Sequence, residues 1–291
     1  MEILRTVAEL REWSSWERND GGNTIGLVPT MGALHAGHAS LIRAAASSCE
    51  RVAVSIFVNP TQFGPNEDFA RYPRTFDADC ALAEAEGANV VFAPAVEELY
   101  PAGAATFVEV SGLSERLDGK SRPGHFRGVA TVVAKLLVAA EPDRAFFGQK
   151  DAAQVAVLRR MVSDLRLGTE IVVCPIVREA DGLALSSRNV YLSAQERTEA
   201  LTLSRAVRQA EALFASGERC PSRFIEAARD TFAAVPEVRV DYIALVDWAT
   251  LEPVEIANSG SLFAVAAHVG HTRLIDNTIL GGGCTVGKQQ S

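Results

Sequence analysis

Residues 24–38 read TIGLVPTMGALHAGH. Thr24 to Pro29 is a short apolar run of the kind that forms a buried strand. A glycine-containing turn follows, and a helical stretch begins near Gly37. Glycines let a backbone approach a phosphate closely, and a helix start offers free N–H groups and the positive end of a dipole. His35 and His38 are three apart, so on a helical turn they share a face. Two imidazoles beside a helix start suit a polyphosphate. The setting carries this reading rather than the spacing. His268-Val269-Gly270-His271 repeats the spacing between two strand-like runs and reads as a hairpin turn. Gly282 to Lys288 matches G-x-x-x-x-G-K, but Gln289 follows it and no helix does, so it is not read as a P-loop.

Outward from this stretch, strand-like and helix-like segments alternate. Arg51 to Val58, Asn89 to Ala93, Thr106 to Val110, Arg144 to Phe147 and Glu170 to Val177 read as strands. Ala152 to Leu165 reads as a helix with Val155, Leu158, Val162 and Leu165 on one face. Alternation of this kind predicts an α/β fold, a Rossmann-like parallel sheet with helices on both faces. Such sheets bind ligands at the carboxyl ends of their strands. After residue 177 the texture changes. Arg178 to Asn189 is polar and loop-like, and Ser193-x-x-Glu196 is a capping box opening a helix to about Ser216. A second helix starts near Pro221, followed by strands at Val238 to Val246, Ser261 to Ala267 and Thr272 to Ile279. The expected division is residues 1–177 as the larger domain and 178–291 as a smaller α+β domain.

Composition sets limits. The 291 residues are 48% hydrophobic and carry a net charge of −8, which suits a globular protein and argues against gripping RNA or DNA. Five cysteines, at 49, 80, 174, 220 and 284, are odd in number and not closely spaced, which points to reduced thiols in a cytosol. The N-terminus lacks an apolar signal core, and no apolar run approaches the ~20 residues a membrane helix needs.

Four further segments carry chemistry. Phe146 to Asp151, with Gln154 one turn on, closes a strand and opens a helix. Lys150 is suited to phosphate, while Asp151 reads equally as a plain helix cap. Leu183 to Asn189 offers Ser186, Ser187 and Arg188 as phosphate donors, or is an ordinary polar linker. Phe57 to Gly64 follows a strand and presents Gln62, and Ser121 to Gly128 offers Arg122 as another cation.

Together, PTMGALHAGH, IFVNPTQFG, RYPRT, SRPGHFRGV, FFGQKD with its Gln154, VREADGLALSSRN and TRLIDN resemble the pantoate–β-alanine ligase family, in order and over nearly the whole chain. The family belongs to the H-x-G-H nucleotidyltransferases. The resemblance implies ATP-dependent joining of pantoate to β-alanine through a pantoyl-adenylate, with Mg²⁺, in a cytoplasmic homodimer. Thr30, Met31, Gly32, Ala33, Leu34, His35, Ala36, Gly37 and His38 would wrap ATP, with His38 in the proton-donor role. Gly148, Gln149, Lys150 and Asp151 would contact ATP, Val177 would border the adenine, and Leu185, Ser186, Ser187 and Arg188 would form a second phosphate clamp. Gln62 and Gln154 would bind pantoate. The smaller domain, with Arg178 to Asn189 as a lid, would close over the site. The chain departs from the family at Leu185, often methionine, at Ala152, often tyrosine, and at Ala78, often acidic; Asp79 is left as the candidate for indirect magnesium contact. Three other readings stand beside this one: a nucleotidylyltransferase acting on a phosphorylated acceptor, a tRNA synthetase fragment, and a non-catalytic nucleotide-binding protein.

Overall fold

A computed structural model of the chain describes residues 1–65 and 67–282; Cys284 and nearly all of the Gly282 to Lys288 lookalike lie outside them. The chain forms two compact units. The first comprises Met1–Gly148 and Val157–Cys174, the second Gln149–Ala156 and the chain from Pro175 onward.

In the first unit the element order is β1 (Glu2–Leu4), α1 (Val7–Asn19), β2 (Ile25–Thr30), α2 (Ala36–Ser48), β3 (Arg51–Ile56), α3 (Phe76–Ala85), β4 (Val90–Phe92), α4 (Val96–Leu99), α5 (Asp118–Ser121), α6 (His125–Ala140), β5 (Arg144–Gly148), α7 (Ala152–Asp164) and β6 (Glu170–Cys174). Its six strands lie in the order β1-β4-β3-β2-β5-β6, with every neighbouring pair parallel. Parallel strands are covered on both faces and so read as continuous apolar runs. Ile25, Leu27 and Val28 of β2 and Ala53 and Val54 of β3 are all fully buried. Phe146 of β5 packs with Ile42 and Ala45 of α2 in the same core. From β2 the chain winds outward to β3 and β4, then returns to β5 on the other side of β2. That reversal makes the carboxyl ends of β2 and β5 the switch point where open α/β sheets bind ligands. The expected Rossmann-like sheet is therefore present, and two of its strands end on motifs identified from sequence.

Several expectations are corrected. Thr106 to Val110 forms no strand. It has β-branched residues but no ladder partner: Val108 N donates to Thr131 Oγ1 on α6 (2.9 Å), and Arg127 lies over the Phe107 ring (4.0 Å). The short β1 escaped notice because three residues show no periodicity; it pairs with β4 through Glu2↔Val90 to Leu4↔Phe92. On α7, Val155, Leu158 and Val162 are buried as expected, but Leu165 lies past the helix end and is 50% exposed, while Met161 is buried.

The second unit contains α8 (Ala194–Ala215), α9 (Pro221–Ala233), and an antiparallel sheet β7 (Val238–Asp247), β8 (Ser261–Val269), β9 (Thr272–Ile279) in the order β7-β8-β9. The Ser193–Glu196 capping box opens α8. The Gly270-His271 turn joins β8 to β9, with Val269 opposite Thr272, so the second H-x-G-H is a hairpin as read from its flanks. Leu203 and Val207 of α8, Phe224 of α9 and Phe263 of β8 form one core. The short piece Gln149–Ala156 belongs to this unit because β9 and the β7 end hold it: Asn277 Nδ2 donates to the carbonyls of Gln149 and Lys150, and Trp248 Nε1 to that of Ala152. Phe263 is completely buried, so Phe263→Ala leaves a large cavity and is expected to cost about 3–5 kcal/mol, read as a lower midpoint in urea unfolding.

Candidate active site

In the first unit, the turn after β2 is built by buried side chains. Thr30 Oγ1 donates to Ser55 O (2.7 Å) and accepts from Gly32 N (3.1 Å). Gly32 and Ala33 both take positive φ, +85° and +49°, and a non-glycine residue there is strained. Asp79 of α3 holds that geometry. Its Oδ2 accepts from Ala33 N (2.9 Å), and its Oδ1 from Leu34 N (2.7 Å) and Thr75 Oγ1 (3.0 Å). At 2% exposure, with both oxygens engaged by protein donors, Asp79 anchors the turn.

His35 is the N-cap of α2, its Nδ1 accepting from Gly37 N (3.1 Å), and His38 Nδ1 accepts from His35 N (3.3 Å). The two rings lie 4.1 Å apart, tilted by 36°. A neutral imidazole whose Nδ1 accepts carries its proton on Nε2. Capping therefore sets the tautomer of both histidines and makes each Nε2–H the donor.

Gln62 closes a 3₁₀ turn, Pro60–Gln62, that follows β3. Its Oε1 accepts from Asn59 Nδ2 (3.0 Å), and its Nε2 meets Met31 Sδ (3.1 Å), so Met31 and Gln62 come together. Asn59 is 1% exposed and also donates to Gly128 O on α6 (3.1 Å). A side chain at Gly128 has no room: a Cβ there meets Thr61 O at 2.4 Å and Gln62 Cα at 2.7 Å. His125 adds a second hold. Arg122 Nη1 donates to its Nε2 (2.9 Å), so its Nδ1 carries the proton and donates to Gln62 O (2.9 Å). Arg122 pairs with Glu67 through Nε and Nη2 (both 2.6 Å), so its guanidinium is committed to this network. Burial pushes the Glu67 carboxyl up, but the Arg122 contacts outweigh it and hold it below the usual range. Burial, with the Arg122 charge beside it, pushes His125 down to about 4.

The second unit carries the other group. Lys150 stands in the 3₁₀ turn Gln149–Asp151 and its Nζ pairs with Asp151 Oδ1 (3.0 Å). Gln154 is half-buried in the first turn of α7. Arg178 to Asn189, expected as a loose polar loop, is stitched. Val177 O accepts from Leu185 N (2.9 Å), Glu179 N donates to Leu183 O (2.8 Å), and Gly182 turns the hairpin at φ +96°. Arg178 grips Asp276 bidentately (2.7 and 2.9 Å), and Arg197 of α8 holds Glu179 (2.6 Å) and Asp181 (2.8 Å). Ser186 caps the turn Ser187–Tyr191, its Oγ accepting from Arg188 N (3.3 Å). Asn189 Nδ2 binds Glu179 Oε1 (2.7 Å) and Ala184 O (3.1 Å). Ser187 and Arg188 thus stand half-buried on a braced turn.

Among the described residues, no group of three or more His, Cys, Asp or Glu side chains is arranged to hold a metal ion, and no helix is long and apolar enough to cross a membrane. Cys49, Cys80, Cys174 and Cys220 are free thiols, and burial pushes Cys174 up to about 11. Asn59, His125, Asp276 and Asn277 were not singled out from sequence. Each lies inside a quoted run, and the available signal was a polar residue within or beside an apolar segment.

A strand–turn–helix carrying capped histidines at a parallel-sheet switch point is the site of a nucleotide-binding α/β protein. The family model for pantoate-β-alanine ligase matches residues 2–279, and the chain belongs to that family. The pantothenate synthetase of Acidobacterium capsulatum is 61% identical over 287 residues, covering 96% of this chain and 95% of the relative. The crystal structure of pantothenate synthetase from Thermus thermophilus superposes with a TM-score of 0.91 at 46% identity, covering 96% of this chain and 99% of the other. The pantoate-β-alanine ligase of Francisella tularensis, complexed with βγ ATP and β-alanine, gives a TM-score of 0.79 at 34% identity, covering 97% and 99%.

Two outcomes are expected here. As pH falls below the ordinary histidine value near 6.5, the unfolded chain takes up a proton at His125 before the folded one does, so stability drops from there toward about pH 4. With the ring partly reached by solvent, which screens it, this loss is about 2 kcal/mol. Urea unfolding at pH 7 and pH 5 should show a shallower pH dependence in His125→Asn, and equal slopes would remove His125 from the acid limb. Gly128→Ala should cost roughly 1–3 kcal/mol in the same assay by displacing the Pro60–Gln62 turn.

Proposed function

We propose that the enzyme joins pantoate to β-alanine in an ATP-dependent reaction that yields pantothenate, AMP and pyrophosphate by way of pantoyl-adenylate. The observation that carries this reading is the histidine pair at the start of α2, each Nδ1 accepting from a backbone N–H beside the helix N-terminus. Family membership supplies the substrates, and the Francisella enzyme's complex with βγ ATP and β-alanine supports two of them.

In the first step a carboxylate oxygen of pantoate attacks the α-phosphorus, the bond to the β-phosphate oxygen breaks, and pyrophosphate leaves. Pantoate is ionised at neutral pH, so no general base is needed. What the protein must supply is alignment and positive charge on the triphosphate. Residues Thr30 to His38 receive ATP, with His35 and His38 donating to phosphate oxygens. Gly148 to Asp151 take part with Lys150 on phosphate and Asp151 on ribose, which requires the Lys150–Asp151 pair to part when ATP binds. Val177 and Leu185 border the nucleotide, and Ser186, Ser187 and Arg188 clamp the phosphates. Gln62 and Gln154 bind pantoate. In the second step the β-alanine nitrogen attacks the acyl carbon, the bond to AMP breaks, and the amine loses a proton. Magnesium enters as part of the MgATP substrate, held by phosphate oxygens and water, a coordination it favours over all-protein cages. A cytosolic location and a homodimer complete the proposal; the free thiols of Cys49, Cys80, Cys174 and Cys220 support the first.

The test is ATP–pyrophosphate exchange with purified protein, Mg²⁺ and pantoate, without β-alanine. Exchange that depends on pantoate is expected; exchange that instead needs a phosphorylated acceptor would overturn the ligase reading. His38→Ala and Lys150→Ala should each lower exchange at least ~100-fold, in line with loss of a preorganised charge-stabilising group. Gln62→Ala should act mainly on the KM for pantoate.

A further inference from the structure

Two adjacent side chains near the end of β9 are buried and polar, and neither is assigned to a substrate above. Asp276 is 2% exposed and Asn277 3%. Successive residues leave a strand on opposite faces, so the pair serves two different segments.

Asn277 gives its two amide hydrogens to consecutive carbonyls, Gln149 O (3.1 Å) and Lys150 O (2.8 Å). Its Oδ1 receives Gln149 Nε2 (3.3 Å). Both ends of the amide are therefore occupied, and all of its partners lie in the turn that carries Lys150. Asp276 holds both terminal nitrogens of Arg178, and its Oδ1 also accepts from Asn277 N (2.8 Å). The same guanidinium reaches Gly182 O (3.2 Å), so the carboxylate fixes the root and the bend of the hairpin that leads to Ser186, Ser187 and Arg188. Burial pushes the Asp276 carboxyl upward against the pull of Arg178, so the pair survives only while its geometry is kept.

We propose that Asp276 and Asn277 are positioning residues for adenylation: Asn277 sets the Lys150 turn and Asp276 sets the root of the Ser186–Arg188 turn, so one strand aligns both. This rests on Lys150 and the Ser186–Arg188 turn acting at the triphosphate, as proposed above. A phosphate-binding side chain acts through its placement, and a misplacement of about 1 Å lowers a rate by ~100-fold. Removing Asn277 leaves two carbonyls without their donor and frees the segment whose position matters.

The test is a double-mutant cycle in pantoate-dependent ATP–pyrophosphate exchange, with wild type, Asn277→Ala, Lys150→Ala and the double variant. Asn277→Ala should lower kcat by ~10- to 100-fold with the pantoate KM within about threefold of wild type. In the Lys150→Ala background the same change should cost less than about threefold, because the group it positions is gone. A stitch that serves stability alone predicts losses that multiply, and that result overturns the inference. So does wild-type kcat in Asn277→Ala. Full exchange in Lys150→Ala would instead remove the Lys150 assignment, and this inference with it. If Asn277→Ala does not fold, Asn277→Asp is read in the same cycle, since it keeps volume and the Gln149 partner but has no donor for the two carbonyls. For the second arm, Asp276→Asn should lower exchange at least ~10-fold with a folded thermal transition, and unchanged exchange would confine the inference to Asn277 and refute the shared alignment.

Discussion

The carboxylate of Asp79 accepting the backbone N–H groups of Ala33 and Leu34 is the contact on which the rest depends. A strand that ends at Thr30 must turn within five residues so that His35 can cap α2. That requires two consecutive residues at positive φ, one of them alanine, a conformation costing about 1–2 kcal/mol that persists only where the surroundings over-determine it. Asp79 supplies the determination: two charge-assisted bonds to backbone donors, on a helix packed beside the sheet. With the turn held, His35 and His38 find their backbone donors, and the tautomer of both rings follows.

The same device recurs. Segments at the carboxyl ends of strands leave their ladder, so their backbone groups need other partners. Here side chains provide them, some local and some distant in sequence. Asn59 and His125 hold the Gln62 turn, Asn277 holds the Lys150 turn, and Asn189 with Arg178 holds the hairpin before Arg188. Each of these side chains bonds a backbone group of the segment it holds, and that bond fixes where the segment lies. Arg122 illustrates the economy of charge. Its guanidinium donates to His125 Nε2 and so fixes the tautomer of a ring that burial, with that charge beside it, keeps neutral.

The sheet was largely legible because strands buried on both faces declare themselves as apolar runs, as Ile25 to Val28 and Arg51 to Ile56 do. Thr106 to Val110 misled because β-branched composition reports a fit to a pleated surface and says nothing of whether a ladder partner exists. Among candidate site residues, the motif around His35 and His38 was readable from its strand–turn–helix setting, and its copy at His268 and His271 was set aside on the same grounds. Asp79 was harder. An aspartate on a helix looks the same in sequence whether it faces a metal, water or a turn, and only the fold brings Ala33 and Leu34 to it across 45 and 46 residues. Asn277 was less legible still, since its partners lie 127 and 128 residues away.

That last separation has a consequence for how the protein comes into being. A ribosome releases the chain from its N-terminus, and domains fold as they emerge. The six strands of the first sheet are complete once Cys174 is clear, and the Lys150 turn is covalently present well before that. Its amide partner on β9 does not exist until more than a hundred further residues have been made. The nascent chain therefore carries every strand of the first sheet before the residue that fastens the Lys150 turn has been made.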